Sequence, residues 1–371
     1  MSERLSSRWS DIKAYTDYVM LVLVVLLFFL GVAAIYSASP VSAGKGLGGY
    51  ALRQLVWGGV SAIIYIVIIK VGYRRIISLT MPLFALLTLM LILLLIVGHT
   101  SKGAQSWFNL GFFRLQPSDM GKVILAMTLS VLCTKIPPTN IRGILFSLLL
   151  AGFLIGLIML QPDLGSALVY SVMLFAVFVV AGTPVKFLAG MVISGLALLP
   201  VGWLVLKPYQ RMRMMVFMDP TIDPQGAGYN VIQSRIAVGS GGFWGKGFMQ
   251  GTQGKLHFLP EPHTDFIFSV FSEEFGFIGS SIVLLLFGLL LWRILAAAQY
   301  TKDMQAKIMV TAIAAWLWFQ ITESVAMSMG LAPVTGLPLP LFSYGGSSLL
   351  AVVVALALVQ SVVIVSKENR F

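Results

Sequence analysis

The chain has 371 residues, 58% of them hydrophobic and 11% charged, with a net charge of +11. A soluble domain carries roughly 25% charged residues, and no globular core of this length hides so much apolar surface from water. The composition is that of an integral membrane protein, and it excludes a soluble enzyme, a nucleic-acid-binding module and a disordered chain.

A spanning helix needs about 20 apolar residues, and ten segments come close: 18–36, 52–69, 76–97, 120–136, 144–159, 167–181, 185–206, 266–294, 308–329 and 349–365. The first follows Asp17 and is read as a span rather than a cleaved leader. Segment 120–136 contains Lys122, and segment 167–181 lies between Gly165 and Gly182. A helix surrounded by lipid rarely looks like that, so both are expected inside the bundle. If the N-terminus is cytoplasmic, fourteen Lys and Arg residues, from Arg4 to Arg370, fall on the inner side. Only four (Lys45, Arg53, Lys102 and Arg114) fall in the short outer loops. That split predicts both termini inside. The expected fold is one all-α integral membrane domain, 1–371. It has about ten transmembrane helices and one large extracytoplasmic loop, 207–264, between the seventh and eighth. Nine of the 29 residues from Gly226 to Gly254 are glycine, so irregular backbone with short helical turns at most is expected there.

The polar residues are unevenly placed. Nine acidic residues (Asp119, Asp163, Asp219, Asp223, Glu261, Asp265, Glu273, Glu274 and Glu323) lie in outer segments or near the outer leaflet. This predicts a polar cavity opening outward. Pro117 suits a first helical turn with Gln116 or Ser118 as its cap, and Asp119 and Lys122 share a face at i,i+3. That pair is either a buried structural ion pair or a group that positions substrate anions. Gln161-Pro-Asp163-Leu-Gly165 reads as a turn between spans. In Glu261-Pro-His263-Thr264-Asp265, Thr264 or Asp265 either caps the eighth span or, for Asp265, supplies an ionised base in a partly dry cavity. The run from Gly336 through Ser343 to Ser348 is non-helical chain at membrane depth, tolerated only when buried in protein or lining a cavity. His99, His257 and His263 make no metal-ligand spacing, and there is no Gly-Lys-Ser/Thr phosphate loop.

The most specific strings are Asp223-Pro-Gln-Gly-Ala-Gly-Tyr-Asn-Val-Ile-Gln-Ser234, Gly239-Ser-Gly-Gly242 and Gly245-Lys-Gly-Phe-Met-Gln-Gly-Thr-Gln253. With them go Leu259-Pro-Glu-Pro-His-Thr-Asp-Phe-Ile-Phe268 and Leu337-Pro-Leu-Pro-Leu-Phe-Ser-Tyr-Gly-Gly-Ser-Ser348. Together they resemble the SEDS family (shape, elongation, division and sporulation proteins) over nearly the whole chain. Lys246 with Gly251-Thr-Gln253 resembles its elongation branch, RodA. The family position of Asp119 is usually Glu, which shortens the reach to Lys122 here by one methylene.

The resemblance implies a bacterial cytoplasmic membrane and a peptidoglycan glycosyltransferase that polymerises lipid II. Asp265 matches the catalytic position. The substrate-binding set it implies is Trp107, Arg114, Asp119, Lys122, Gln161, Asp163, Arg211, Arg213, Tyr229, Gln233, Ser234, Glu261, His263, Thr264 and Ser343. The implied partners are a class B penicillin-binding protein and membrane lipids, with no nucleic acid. No cofactor motif is evident, and a divalent cation bridging diphosphate and carboxylates is compatible with the chemistry. Diphosphate departs already anionic, so one carboxylate base and several cations suffice, in a single inverting displacement. A lipid II flippase and a non-catalytic scaffold are the competing readings. A flippase needs polar groups along its whole path, and a scaffold has no use for Asp265.

Overall fold

The computed structural model describes residues 12–39, 49–101, 104–109, 114–255 and 258–368, and all ten predicted segments coincide with helices in it. In chain order these are α1 (Tyr18–Ala38), α2 (Gly49–Val71), a short α3 (Tyr73–Ile77), α4 (Thr80–Val97), α5 (Pro117–Lys135), α6 (Ile141–Leu160), α7 (Leu164–Val180) and α8 (Val185–Val205). The segment 207–264, expected from the sequence to be the large loop, contributes α9 (Pro208–Met218), α10 (Ala227–Ser240) and α11 (Thr252–Lys255). The long α12 (Ile267–Tyr300), α13 (Met304–Met329) and α14 (Gly346–Glu368) complete the chain. Seven of the ten are long and apolar enough to cross a membrane, α4 and α7 are shorter apolar helices, and α5 carries Asp119 and Lys122. Arg4, Arg8, Lys45, Lys102, His257 and Arg370 lie outside the described residues.

Burial sorts the helices by their polar content. In the most apolar window of α14, 83% of residues are buried, and 72% in that of α13; in α8 none is. In lipid an apolar side chain needs no cover, so outer helices such as α8 expose theirs, whereas those with polar groups are drawn inward. Accordingly α5 and α7 pack inside against α13. Two features differ from the sequence reading. A small antiparallel sheet, β1 (His99–Ser101), β2 (Ala104–Asn109) and β3 (Arg114–Leu115), joins α4 to α5. And the segment 207–264 is substantially helical, not irregular: α10 runs 14 residues. Its glycines sit at the ends, leaving 229–238 free of them, so the average over the stretch concealed a good helix.

The glycine-rich stretch after α10 does something a free loop does not: it splits α12. Gly276 breaks that helix at φ 63° and ψ −160°. In an unbroken helix Phe277 N–H would bond Glu273 O, and Ile278 N–H would bond Glu274 O. Instead Glu273 O accepts from Lys246 N at 3.0 Å and Glu274 O from Gly247 N at 2.9 Å. Phe277 N donates to Gly242 O at 2.9 Å and Ile278 N to Phe243 O at 3.3 Å. Below the break, Glu273 Oε1 accepts from Lys246 Nζ at 2.6 Å and from Thr252 N and Oγ1. A Cβ at Gly276 would lie 2.3 Å from Gly245 N. Gly276→Ala is therefore expected to cost about 1–3 kcal/mol in backbone conformation alone, with the clash added. Thermal unfolding of the detergent-solubilised protein measures it. An unchanged midpoint would show that stretch and helix are not locked together.

Candidate active site

The non-helical run 335–345 is the element that assembles the site. It is buried, with Leu337, Leu339, Leu341 and Phe342 all under 5% exposed, which meets the condition for irregular backbone at membrane depth. Gly31 of α1 allows the close approach, because a Cβ there would sit 2.6 Å from Phe342 Cα. Gln54 of α2, itself fully buried, donates to Ser343 O at 3.2 Å and accepts from Gly345 N at 3.2 Å. Two peptide groups of this run are thus held by a neighbouring helix, and the run, with the first turn of α14, in turn holds three clusters.

The first cluster carries Asp265. Ser343 Oγ donates to Thr264 O at 2.7 Å, and Tyr344 N donates to His263 O at 2.9 Å. His263 stacks on Tyr50 of α2 at 4.2 Å, and Glu261 Oε2 lies 3.9 Å from His263 Nε2. The turn before α12 is therefore clamped on both sides of its backbone. Asp265 follows it, half-buried. Neither Thr264 nor Asp265 caps α12, which overturns that reading: the helix starts at Ile267 with Phe266 as its N-cap and no side-chain cap bond. Thr264 Oγ1 instead turns back to Glu261. Gly336 has φ +78°, a left-handed conformation natural to glycine. A Cβ placed on it would meet only Asp265 Oδ2, at 3.8 Å, among the described residues. Open space therefore adjoins the Asp265 carboxylate. Glu323 of α13 lies near enough to Asp265 for their charges to interact, and its Oε1 accepts from Thr335 Oγ1 at 2.6 Å.

The second cluster is the Asp119–Lys122 pair, at 2.8 Å. Lys122 Nζ also reaches Gln320 Oε1 at 3.3 Å and lies 5.5 Å from the Trp316 ring centre. Gln320 Nε2 donates onward to Pro338 O at 2.7 Å. Lys122 is 0% exposed and Asp119 3%, so neither faces an open cavity in this structure; packing against Trp316 and Gln320 seals them. In the third cluster, Asp163 caps α7 through Ser166 N at 3.0 Å. Its other oxygen accepts from Gln116 Nε2 at 3.0 Å and Ser118 Oγ at 3.3 Å. Gln116, at the N-cap position of α5, makes no side-chain cap bond there and meets Ser347 of α14 instead.

The remaining residues of the expected substrate-binding set scatter around this frame. Gln161 is fully buried and donates to Leu91 O at 2.9 Å. Ser234 ties α10 to the bundle through Ser269 Oγ and Ser328 O, both at 2.6 Å. Tyr229 and Gln233 are half-buried on the same helix, Trp107 is half-buried on β2, and Arg114 is exposed on β3. Arg213 donates to Val334 O at 3.1 Å beside the non-helical run, the floor of the site, whereas Arg211 turns away to Leu204 O of α8 at 2.7 Å. Burial raises the Tyr209 phenol above its usual range, against the pull of the Arg213 guanidinium. It stays protonated and donates to Pro162 O at 3.0 Å. Among the described residues no group of three His, Cys, Asp or Glu side chains converges as a metal-ligand set. Glu323 is the residue that sequence reasoning left without a role. Its signal was an ionisable group inside a span, which by default marks function.

Residues 17–368 match the FtsW/RodA/SpoVE family model, described as cell cycle protein. The chain is 34% identical over 352 residues to the peptidoglycan glycosyltransferase MrdB of Escherichia coli, covering 94% of each. Its fold superposes with a TM-score of 0.80 on a chain of a solved peptidoglycan synthase complex that coordinates polymerization and crosslinking. That match is 32% identical over 95% of this chain and 98% of the other. The crystal structure of the rod shape determining protein RodA from Thermus thermophilus gives a TM-score of 0.70 at 31% identity, over 96% and 98%.

Proposed function

The chain belongs to the FtsW/RodA/SpoVE family of cell cycle proteins, and from that premise we propose that it is a peptidoglycan glycosyltransferase of the elongation branch, polymerising lipid II with Asp265 as general base. The observation that carries the assignment is Asp265 itself: a carboxylate on a turn clamped by Ser343 and Tyr344, with open space beside Oδ2. A base must be held where the proton will be, and a clamped turn does that without a cofactor. Asp265 takes the proton from the 4-hydroxyl of an N-acetylglucosamine as that oxygen attacks the anomeric carbon of a second, lipid-linked chain. The bond to diphosphate breaks with inversion, and the diphosphate leaves with its charge met by basic groups. Arg213, already at the floor, is the nearest expected member of that group; Arg211 needs a rotation away from α8. The relatives named above are glycosyltransferases, which favours this reading over the flippase and the scaffold.

A class B penicillin-binding protein is the proposed partner, supported by the synthase complex among the similar structures. The test is incubation of the purified chain with lipid II, alone and with that partner. Glycan strands on a gel are expected, and their absence in both arms sinks the reading. The chain is a multi-pass membrane protein, and we place it in the cytoplasmic membrane with both termini inside. A Cys at Gln225, exposed in the α9–α10 segment, is expected to react with a membrane-impermeant maleimide in intact cells. One at Lys302, exposed between α12 and α13, is not. The native Cys133 is buried and does not interfere. The reverse pattern inverts the orientation and removes the site from its substrate.

A further inference from the structure

One carboxylate of the floor has no part in the reading above. Glu323 is 7% exposed. Its Oε1 is bonded to Thr335, but its Oε2 is buried with no hydrogen-bond partner among the described residues. Buried polar atoms are nearly always bonded, and a carboxylate oxygen is among the costliest to strand. The cations on the surrounding elements are engaged elsewhere: Arg213 of α9 on Val334 O, Arg235 of α10 on Gly330 O, and Lys122 of α5 on Asp119 and Gln320. The other charged group at hand is Asp265, which is an acceptor too. Packing alone does not ask for an acid here, since Gln or Met would fill the same volume. The backbone meanwhile leaves room, because Gly336 turns in the left-handed region beside the open space at Asp265 Oδ2.

The space itself lies at Gly336 beside Asp265, one residue from the Thr335 that Glu323 holds, and a stranded acceptor so close to it is completed by a ligand that brings a donor. We propose that Glu323 contacts the acceptor saccharide: its Oε2 accepts a hydrogen bond from a ring hydroxyl or the N-acetyl amide N–H while the attacking hydroxyl rests on Asp265. This rests on the glycosyltransferase reading. The chemistry selects the acceptor over the leaving group. A diphosphate offers only acceptor oxygens and brings no donor to Glu323 Oε2, whereas a neutral sugar supplies donors and needs no counter-ion. Glu323 is then a specificity element for the sugar that attacks, separate from the groups that meet the diphosphate.

The test uses the full-length chain with lipid II and the partner transpeptidase, measuring initial rates against lipid II concentration. Glu323→Gln keeps the volume and an oxygen for Thr335, but replaces the open acceptor with an NH₂ group. A charged hydrogen bond lost equally from ground and transition states raises KM about 10–100-fold and leaves kcat nearly unchanged. Glu323→Asp restores an acceptor and is expected to recover part of the loss; it also serves if the amide disturbs folding. Unchanged kinetics in Glu323→Gln would reduce Glu323 to a packing group tied to Thr335. A fall in kcat at constant KM would place its action on Asp265 rather than on the sugar, and overturns the proposal equally. Failure of the wild-type chain to make polymer is a different result, which sinks the underlying reading.

Discussion

Asp265→Asn is expected to slow lipid II polymerisation about 10²–10⁴-fold, the contribution of a general base, while the protein folds normally. The amide has the size of the carboxylate but cannot take the proton of the attacking hydroxyl. The structure makes this substitution clean. The N-cap of α12 is Phe266 rather than Asp265, so no helix cap is lost. The turn is held through the backbone carbonyls of His263 and Thr264, which the substitution leaves alone. Glu261→Gln and His263→Ala are the necessary comparisons, because both groups lie on the same turn with Glu261 Oε2 3.9 Å from His263 Nε2. If either of them loses activity and Asp265→Asn does not, the base has been misplaced. Long strands from Asp265→Asn at a near-normal rate would remove the mechanism.

Lys122→Met is expected to lower stability by about 3–5 kcal/mol, the cost of breaking a buried pair and leaving its partner charged. Asp119 would keep its charge at 3% exposure with its ammonium gone. Gln320 would lose a donor as well, and Gln320 also holds Pro338 O of the run that clamps the turn before α12. The damage should therefore reach activity as well as the unfolding midpoint. Combining Lys122→Met with Asp119→Leu removes both charges, and much of the stability should return, because the desolvation cost goes with them. Thermal unfolding of the two variants and the wild type in detergent decides it. A single variant as stable as the wild type would mean the ammonium is solvated in the membrane.

What the sequence revealed and what it hid divide along physical lines. The ten apolar segments were legible because lipid forces helices on any spanning chain and rewards continuous hydropathy. Asp265 stood out in the sequence because its turn carries a dense motif. The helix α10 was not, because glycines massed at 239–247 lowered the average of a stretch whose middle is a good helix former. The cap assigned to Thr264 or Asp265 failed because the clamp from Ser343 and Tyr344 holds 263 and 264 in a turn, so the helix begins later. Glu323 was visible as an acid in a span but had no readable role, since its neighbours Asp265 and Thr335 come from other elements. Lys122 was placed with its partner by spacing alone, yet nothing in that spacing shows whether the pair is open or sealed.

The stretch that splits α12 also makes that helix dependent on another part of the chain. Translation delivers 241–247 before α12 exists. Entering lipid already broken, α12 would carry Glu273 O, Glu274 O and the amides of Phe277 and Ile278 unbonded, which hydrocarbon does not tolerate. The break is therefore compatible with lipid only where the earlier stretch packs against α12 and supplies partners for all four groups. Two internal bonds are then exchanged for four external ones. One backbone is thus spliced into another, and the broken α12 depends on chain translated before it.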